Sequence, residues 1–145
     1  MKKLSTLLGS LLLSVSPAIA DDLVYLECES NLLTTIKDLK SNQITKREEP
    51  TETTYHKIDL ANSRTASAKK PGWEEVKIVD GVILLDQEFT VNGVDMKMNG
   101  FWQIVPPGRF TGDGLASNDA FSATFKVRGI CKAIDESVFE KALNQ

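Results

Sequence analysis

Along most of the chain apolar and polar residues alternate one by one, the period of a strand with one buried face and one wet face. From Leu23 onward, Val24, Leu26 and Cys28 share a face. Over residues 94–105 the shared face is Val94, Met96, Met98, Trp102 and Ile104, with Asp95, Lys97, Asn99 and Gln103 opposite. Over 120–133 it is Phe121, Ala123, Phe125, Val127, Gly129 and Cys131, with Ser122, Thr124, Lys126 and Arg128 opposite. Weaker runs read as strands at 53–60, where His56, Ile58 and Leu60 point one way, and at 73–79. A further strand over 82–91 aligns Ile83, Leu85, Gln87, Phe89 and Val91. Asn92-Gly93 then joins it to the next strand as a hairpin, because a type I′ turn needs positive φ at both central residues.

Two stretches admit more than one element. In 30–40, Leu32, Leu33, Ile36 and Leu39 fit helical spacing behind Ser30, yet Thr34 to Leu39 can also be a strand that turns at Ser41-Asn42 into Ile44 to Arg47. The Thr-Thr-Ile content and the turn favour the strand pair. Residues 61–72, small, polar and basic, read as a mobile loop. Near the end, Asp135 is placed to cap a short helix whose Val138, Phe139, Ala142 and Leu143 form one face, suited to covering an open end or edge of a sheet.

About eight short antiparallel strands and one late helix predict an all-β fold, a small lipocalin-like or related antiparallel β-barrel with a short C-terminal helix. A two-sheet β-sandwich is the alternative. Closure removes the edges that an open meander would expose.

The first twenty residues change the setting. Lys2 and Lys3, a mostly apolar run to Val15, and Ala18-Ile19-Ala20 have the layout of a secretory signal peptide. The apolar run is short of the roughly 20 residues that span a bilayer. Residues 1–20 are therefore expected to be removed and 21–145 to form a single barrel domain in the periplasm or outside the cell, with no membrane span remaining. Losing Lys2 and Lys3 takes the net charge from −3 to −5. An acidic exported chain is poorly suited to nucleic acid, whose binding rests on neutralising phosphates. In that compartment the only two cysteines, Cys28 and Cys131, are expected to form a disulfide. Both fall on the inner faces of their strands, as such a bridge requires.

Candidate chemistry is sparse. The stretch GRFTGDG, residues 108–114, has three glycines around an arginine and an aspartate. Its spacing is wrong for a phosphate loop, no lysine follows, and a strand rather than a helix comes next. Asp113 and Asp119 lack the spacing of a calcium loop. The stretch reads as a turn after Pro106-Pro107. His56 is the only histidine, and no nucleophile elbow accompanies it, so it reads as a packed core residue. Glu74-Glu75 and the pair Asp86 and Glu88 read as solvated strand faces. Two cysteines and one histidine make no metal set, and no cofactor is expected. A barrel wide enough to hold a cavity would line it with Phe89, Met96, Met98, Trp102, Phe121 and Phe125, which otherwise read as core.

TTYHKIDL at 53–60 and FKVRGICKAID at 125–135 resemble segments of small uncharacterised exported proteins of marine cyanobacteria. That resemblance implies export and assigns no residue a role. The early and late cysteines are also similar to those of periplasmic C-type lysozyme inhibitors, but the Ser-Gly-x-Lys/Arg-Tyr loop that carries inhibition is absent. The expected function is a non-catalytic exported module that binds a small apolar ligand or an envelope protein partner. Inhibition of an envelope hydrolase, or a hydrolase built on a carboxylate pair, is the alternative. The exported protein should have the intact mass of a chain starting at Asp21 and lacking two hydrogens. Retention of residues 1–20, or two titratable thiols in the unreduced protein, contradicts this.

Overall fold

The alternation folds into a single antiparallel sheet that curls almost into a barrel. The computed structural model describes residues 22–145, so the expected leader at 1–20 lies outside the described residues. The strands are β1 (Leu23–Asp38), β2 (Ile44–Glu48), β3 (Thr51–Asp59), β4 (Arg64–Ser67), β5 (Glu74–Glu75), β6 (Lys77–Val79), β7 (Val82–Val91), β8 (Val94–Ile104), β9 (Pro107–Ser117) and β10 (Phe121–Ala133), followed by α1 (Glu136–Leu143). Their spatial order is β5-β4-β3-β1-β10-β9-β8-β7-β6, with β2 also pairing β1. The two ends of that order, β5 and β6, are separated in the chain only by Val76. One extended segment therefore pairs with β4 by its first half and with β7 by its second, and this closes the wall. Counting β2 with β3, and β5 with β6, as interrupted single strands leaves the expected eight. There is one sheet, and the sandwich alternative is not observed.

β1 pairs along its length with β10, from Leu26 opposite Ala133 to Asp38 opposite Phe121. Cys28 lies directly opposite Cys131, with alpha carbons 4.1 Å apart, and the two form a disulfide across 103 positions of sequence. Chain-entropy reasoning assigns a loop of about 100 residues up to about 4.7 kcal/mol. Around the bridge, Leu26, Ile58, Ile83 and Ile104 are fully buried, and Val24, Val76, Ile78, Leu85, Trp102 and Phe110 pack against them. Burying each such aliphatic side chain contributes about 1.5–3 kcal/mol. This core fills the end of the barrel that β4, β5 and β6 close.

The strand pair at 31–47 is observed, β1 running unbroken to Asp38 before β2 begins. Three expectations are corrected. Residues 61–72 are not wholly loop, for β4 lies within them. Asp59 holds that strand by accepting bonds from Arg64 Nε at 2.8 Å and Asn62 Nδ2 at 2.9 Å, and the Arg64 guanidinium stacks 4.4 Å from the Trp73 ring centre. The helix covers no open end. It lies on the outer face of β1 and β3, where buried Phe139 meets Tyr25 at 5.7 Å between ring centres and the Lys57 ammonium at 5.6 Å. Asp135 is its N-cap without a side-chain bond, and its carbonyl accepts from the Val138 N–H.

The third correction concerns 108–114, which is no turn but part of β9. The turn is confined to Val105 and Pro106. Gly112 and Gly114 take no positive φ. Gly112 faces inward beneath Val127 of β10, and a Cβ there would come within 2.8 Å of Val127 Cγ1. Gly100, its partner on β8, meets the Thr111 carbonyl oxygen in the same way. Absent side chains at these points let the sheet coil tightly. Gly112→Ala should therefore cost about 1–3 kcal/mol by overpacking, part of it recovered in Gly112→Ala/Val127→Ala. Gly100→Ala, whose obstacle is backbone, should gain no such relief. Urea unfolding of the four proteins reads both outcomes.

Candidate functional site

Closure extends over only half the barrel. The β3–β4 pairing covers His56 to Asp59, and the β6–β7 pairing stops at Leu84. Beyond these points β1, β7, β8, β9 and β10 continue with β2 and the start of β3, and no strand among the described residues spans the gap between β7 and β2. At the closed end two strand positions separate β3 from β7, three strand spacings or about 14 Å along the wall. The open half is thus a trough.

Register lays out its inner surface row by row. Nearest the core, Leu85, Gly100, Gly112, Val127 and Leu32 lie side by side across β7, β8, β9, β10 and β1. The next row is Gln87, Met98, Gly114, Phe125 and Thr34, and the third is Phe89, Met96, Ala116, Ala123 and Ile36. Every middle position, on β9, is Gly or Ala, while the flanks are mostly apolar, with Gln87 and Thr34 the polar exceptions. The floor is therefore low and the β7–β8 side is greasy, whereas the β2 side turns Glu48 and Lys46 inward opposite Thr34 and Ile36. Phe89 is 39 % exposed, Met98 41 % and Leu32 36 %.

Of the six residues expected to line a cavity, Phe89, Met96, Met98 and Phe125 lie in this trough. Phe121 stands at its rim, opposite Asp38. Trp102 belongs to the filled end. Its indole N–H donates to Cys131 Sγ at 3.1 Å, and its ring centre lies 4.7 Å from His56 and 6.1 Å from Phe110. Trp102 lines a small hollow of about 190 Å³ with His56, Lys70 and Glu74, whereas a hollow of about 350 Å³ near the tip of the β7–β8 hairpin lies mainly on the outer face, among Glu88, Thr90, Asp95, Lys97 and Leu115. Sequence reasoning missed Leu32, Ile36, Leu85 and Val127 as trough residues. The alternation of β1 beyond Cys28 is the signal that could have found the first two.

A larger hollow, about 580 Å³, lies on the other side of the wall, where Glu29, Asn31, Thr51, Arg109, Thr111 and Arg128 meet. Its size exceeds that of the other two hollows, but it shares no residue with the apolar rows. Arg128 there is engaged with the carbonyls of Val127 at 2.8 Å and Gly112 at 3.3 Å, and with Asp113 at 3.5 Å. Opposite charges mix in it. Nearby on the same outer face, the Lys132 ammonium at 2.7 Å from Glu27 holds that carboxyl below its usual range, and Glu27 in turn raises the Tyr55 phenol.

His56 faces inward, with Nε2 2.8 Å from Thr54 Oγ1. Loss of solvent pushes its pKa from 6.5 down to about 4. Asp86 and Glu88 both lie on the exposed outer face of β7, and Glu74 and Glu75 are exposed at the seam. Among the described residues no three His, Cys, Asp or Glu side chains gather in a way that could hold a metal ion. Among the same residues no helix is long and apolar enough to cross a membrane. What the trough offers chemically is apolar contact.

No family model matches the chain, and neither a curated protein nor a solved structure matches it.

Because His56 is held neutral when folded, while the unfolded chain takes its proton near 6.5, its contribution to stability is full above that pH. It is lost progressively as pH falls from 6.5 towards 4 and then levels off. A shift of that size corresponds to at most about 3 kcal/mol, less what residual solvent contact screens. The ring signals of His56 should titrate near pH 4 by NMR, and His56→Gln should flatten the stability profile across this window. A midpoint near 6.5 in the native protein contradicts the burial argument.

Proposed function

We propose that the chain is an exported, non-catalytic binding module whose open half-barrel holds an apolar segment of a protein partner. The observation that carries this reading is the trough: three mostly apolar rows, broken by Gln87 and Thr34, continue past the end of the closing strands, with Phe89 and Met98 left about two-fifths exposed at 39 % and 41 %. Contiguous apolar surface of this kind, in a concave setting, marks an interaction site. Methionine and phenylalanine together suit it, since the thioether side chain adapts to irregular partners. The closed end is filled by Trp102, the disulfide and the isoleucines, which favours an occupant laid along the trough over a small molecule enclosed within the barrel. The leader pattern and the disulfide support export.

Anilinonaphthalene sulfonate, which brightens on apolar surface, is a direct probe of the trough. The native chain should bind it, and Met98→Glu should weaken binding about tenfold or more, a change near 1.4 kcal/mol. Leu115→Glu, on the outer face of β9, should leave binding unchanged. Equal loss in both variants, or no binding by the native chain, overturns the trough as the site. A bound apolar molecule in the freshly purified protein, seen by native mass spectrometry and displaced by the dye, would instead identify a small ligand.

A further inference from the structure

We infer that the partner segment binds as an added β-strand on the free edge of β7, with basic residues outward and apolar residues inward. The inference rests on the trough reading and specifies how the trough is filled. It follows from the backbone as much as from the side chains. Asn92 and Gly93 have φ values of 51° and 77°, the positive pair of a type I′ turn, flanked by Val91 and Val94. In such a turn the flanking residues bond to each other. The alternation of an antiparallel ladder then directs the bonds of Val91, Phe89, Gln87 and Leu85 towards β8. Those of Thr90, Glu88 and Asp86 point the other way. Leu84 agrees with this phase, since it is the last residue of β7 that pairs with β6, opposite Lys77. From Leu85 to the end of the strand nothing among the described residues pairs with that edge.

A free edge of this length is a template for another strand unless it is guarded. The opposite lip of the trough is guarded: β2 carries Lys46, Arg47 and Glu48, Lys46 and Glu48 are paired at 3.4 Å, and Pro50 follows. β7 has no proline and no positive charge. Its outer-face residues beside the open edge are Asp86, Glu88 and Thr90, with Lys97 of β8 behind Glu88, and its inner-face residues are Leu85, Gln87, Phe89 and Val91. An incoming strand thus meets carboxylates on one face and the trough on the other, which selects alternating Lys or Arg and apolar side chains. A second copy fits poorly. Antiparallel pairing of β7 with β7 in the registers centred on the open stretch sets Glu88 against Glu88, or Asp86 against Glu88, like charges in both; only a shift towards the hairpin tip, with Glu88 against Thr90, avoids them.

The probe is a capped synthetic peptide of about eight residues, a common strand length, alternating lysine and valine. Against the full chain it should bind one to one, weaken with salt, and slow amide hydrogen exchange at Asp86, Glu88 and Thr90. A twin of glutamate and valine should not bind. Glu88→Pro removes a donor that no internal ladder bond uses, so the barrel is expected to tolerate it; it should lower peptide affinity at least about tenfold, or 1.4 kcal/mol by the same conversion. It should leave binding of anilinonaphthalene sulfonate unchanged. If that variant fails to fold, a lysine–valine peptide N-methylated on one backbone edge serves the same purpose with the native protein, and it should not bind. Undiminished binding by Glu88→Pro or by the methylated peptide overturns strand addition, as does protection confined to β2. No peptide binding while the dye still binds also overturns it and leaves the trough standing. Dimers in sedimentation that Glu88→Pro abolishes would make the occupant a second copy and overturn the choice of partner.

Discussion

The pairing of β1 with β10, pinned where Cys28 faces Cys131, is the constraint on which the rest of the structure depends. These strands are the first and last of the sheet in sequence, and they lie side by side in its middle. A slip of one residue would exchange the two faces, bringing Lys126 and Lys132 inward and sending Phe125 and Cys131 out. A disulfide between directly opposed inner positions permits no such slip. Leu26, Val127 and Phe125 are thereby committed to the concave side, and Tyr25 to the convex side where Phe139 waits. The filled end, the trough and the seat of the helix are consequences of one register.

Much of this was legible in the chain because β8 and β10 alternate over most of their length, Phe101 and Ile130 excepted, and each needs burial on one face only. The second half of β1 was less clear for a physical reason. Leu33 and Ile36 point to opposite faces of the sheet and both are partly buried, so the apolar positions there do not settle on a period of two. β4 could not be read at all. Arg64-Thr65-Ala66-Ser67 has no apolar alternation, and its order comes from Asp59 and from the Trp73 ring, partners that a local pattern does not display. The glycines of β9 misled in the opposite direction. Their residue type suggests a turn, but the reason for them is the bulk of Val127 and the tight coil of the wall, which belong to another strand.

The candidate site was legible to a similar extent. Alternation placed Phe89, Met96, Met98 and Phe125 on one surface, and the structure sets them there together. Whether that surface would be enclosed or open depended on the lengths of β4, β5 and β6. Those strands are two to four residues long, too short to carry a hydrophobic pattern. Trp102 shares the same face as the methionines yet lies across the boundary between the filled and the open halves. The position of that boundary is a property of the short strands, not of the long ones that bear the residues.

The seam at Val76 has a mechanical meaning. The long strands form one plate, riveted at its centre by the disulfide and held by many backbone bonds. At the seam, two residues grip β4 and three grip β7. Strain placed on the lips of the trough is therefore transmitted to the weakest clasp in the wall, while the plate remains intact. Such a part behaves as a spring clip, its jaws set by a small catch at the far end. An occupant wider than the resting gap would be met by elastic give at residues 74–79, and the filled core beneath would act as the fulcrum.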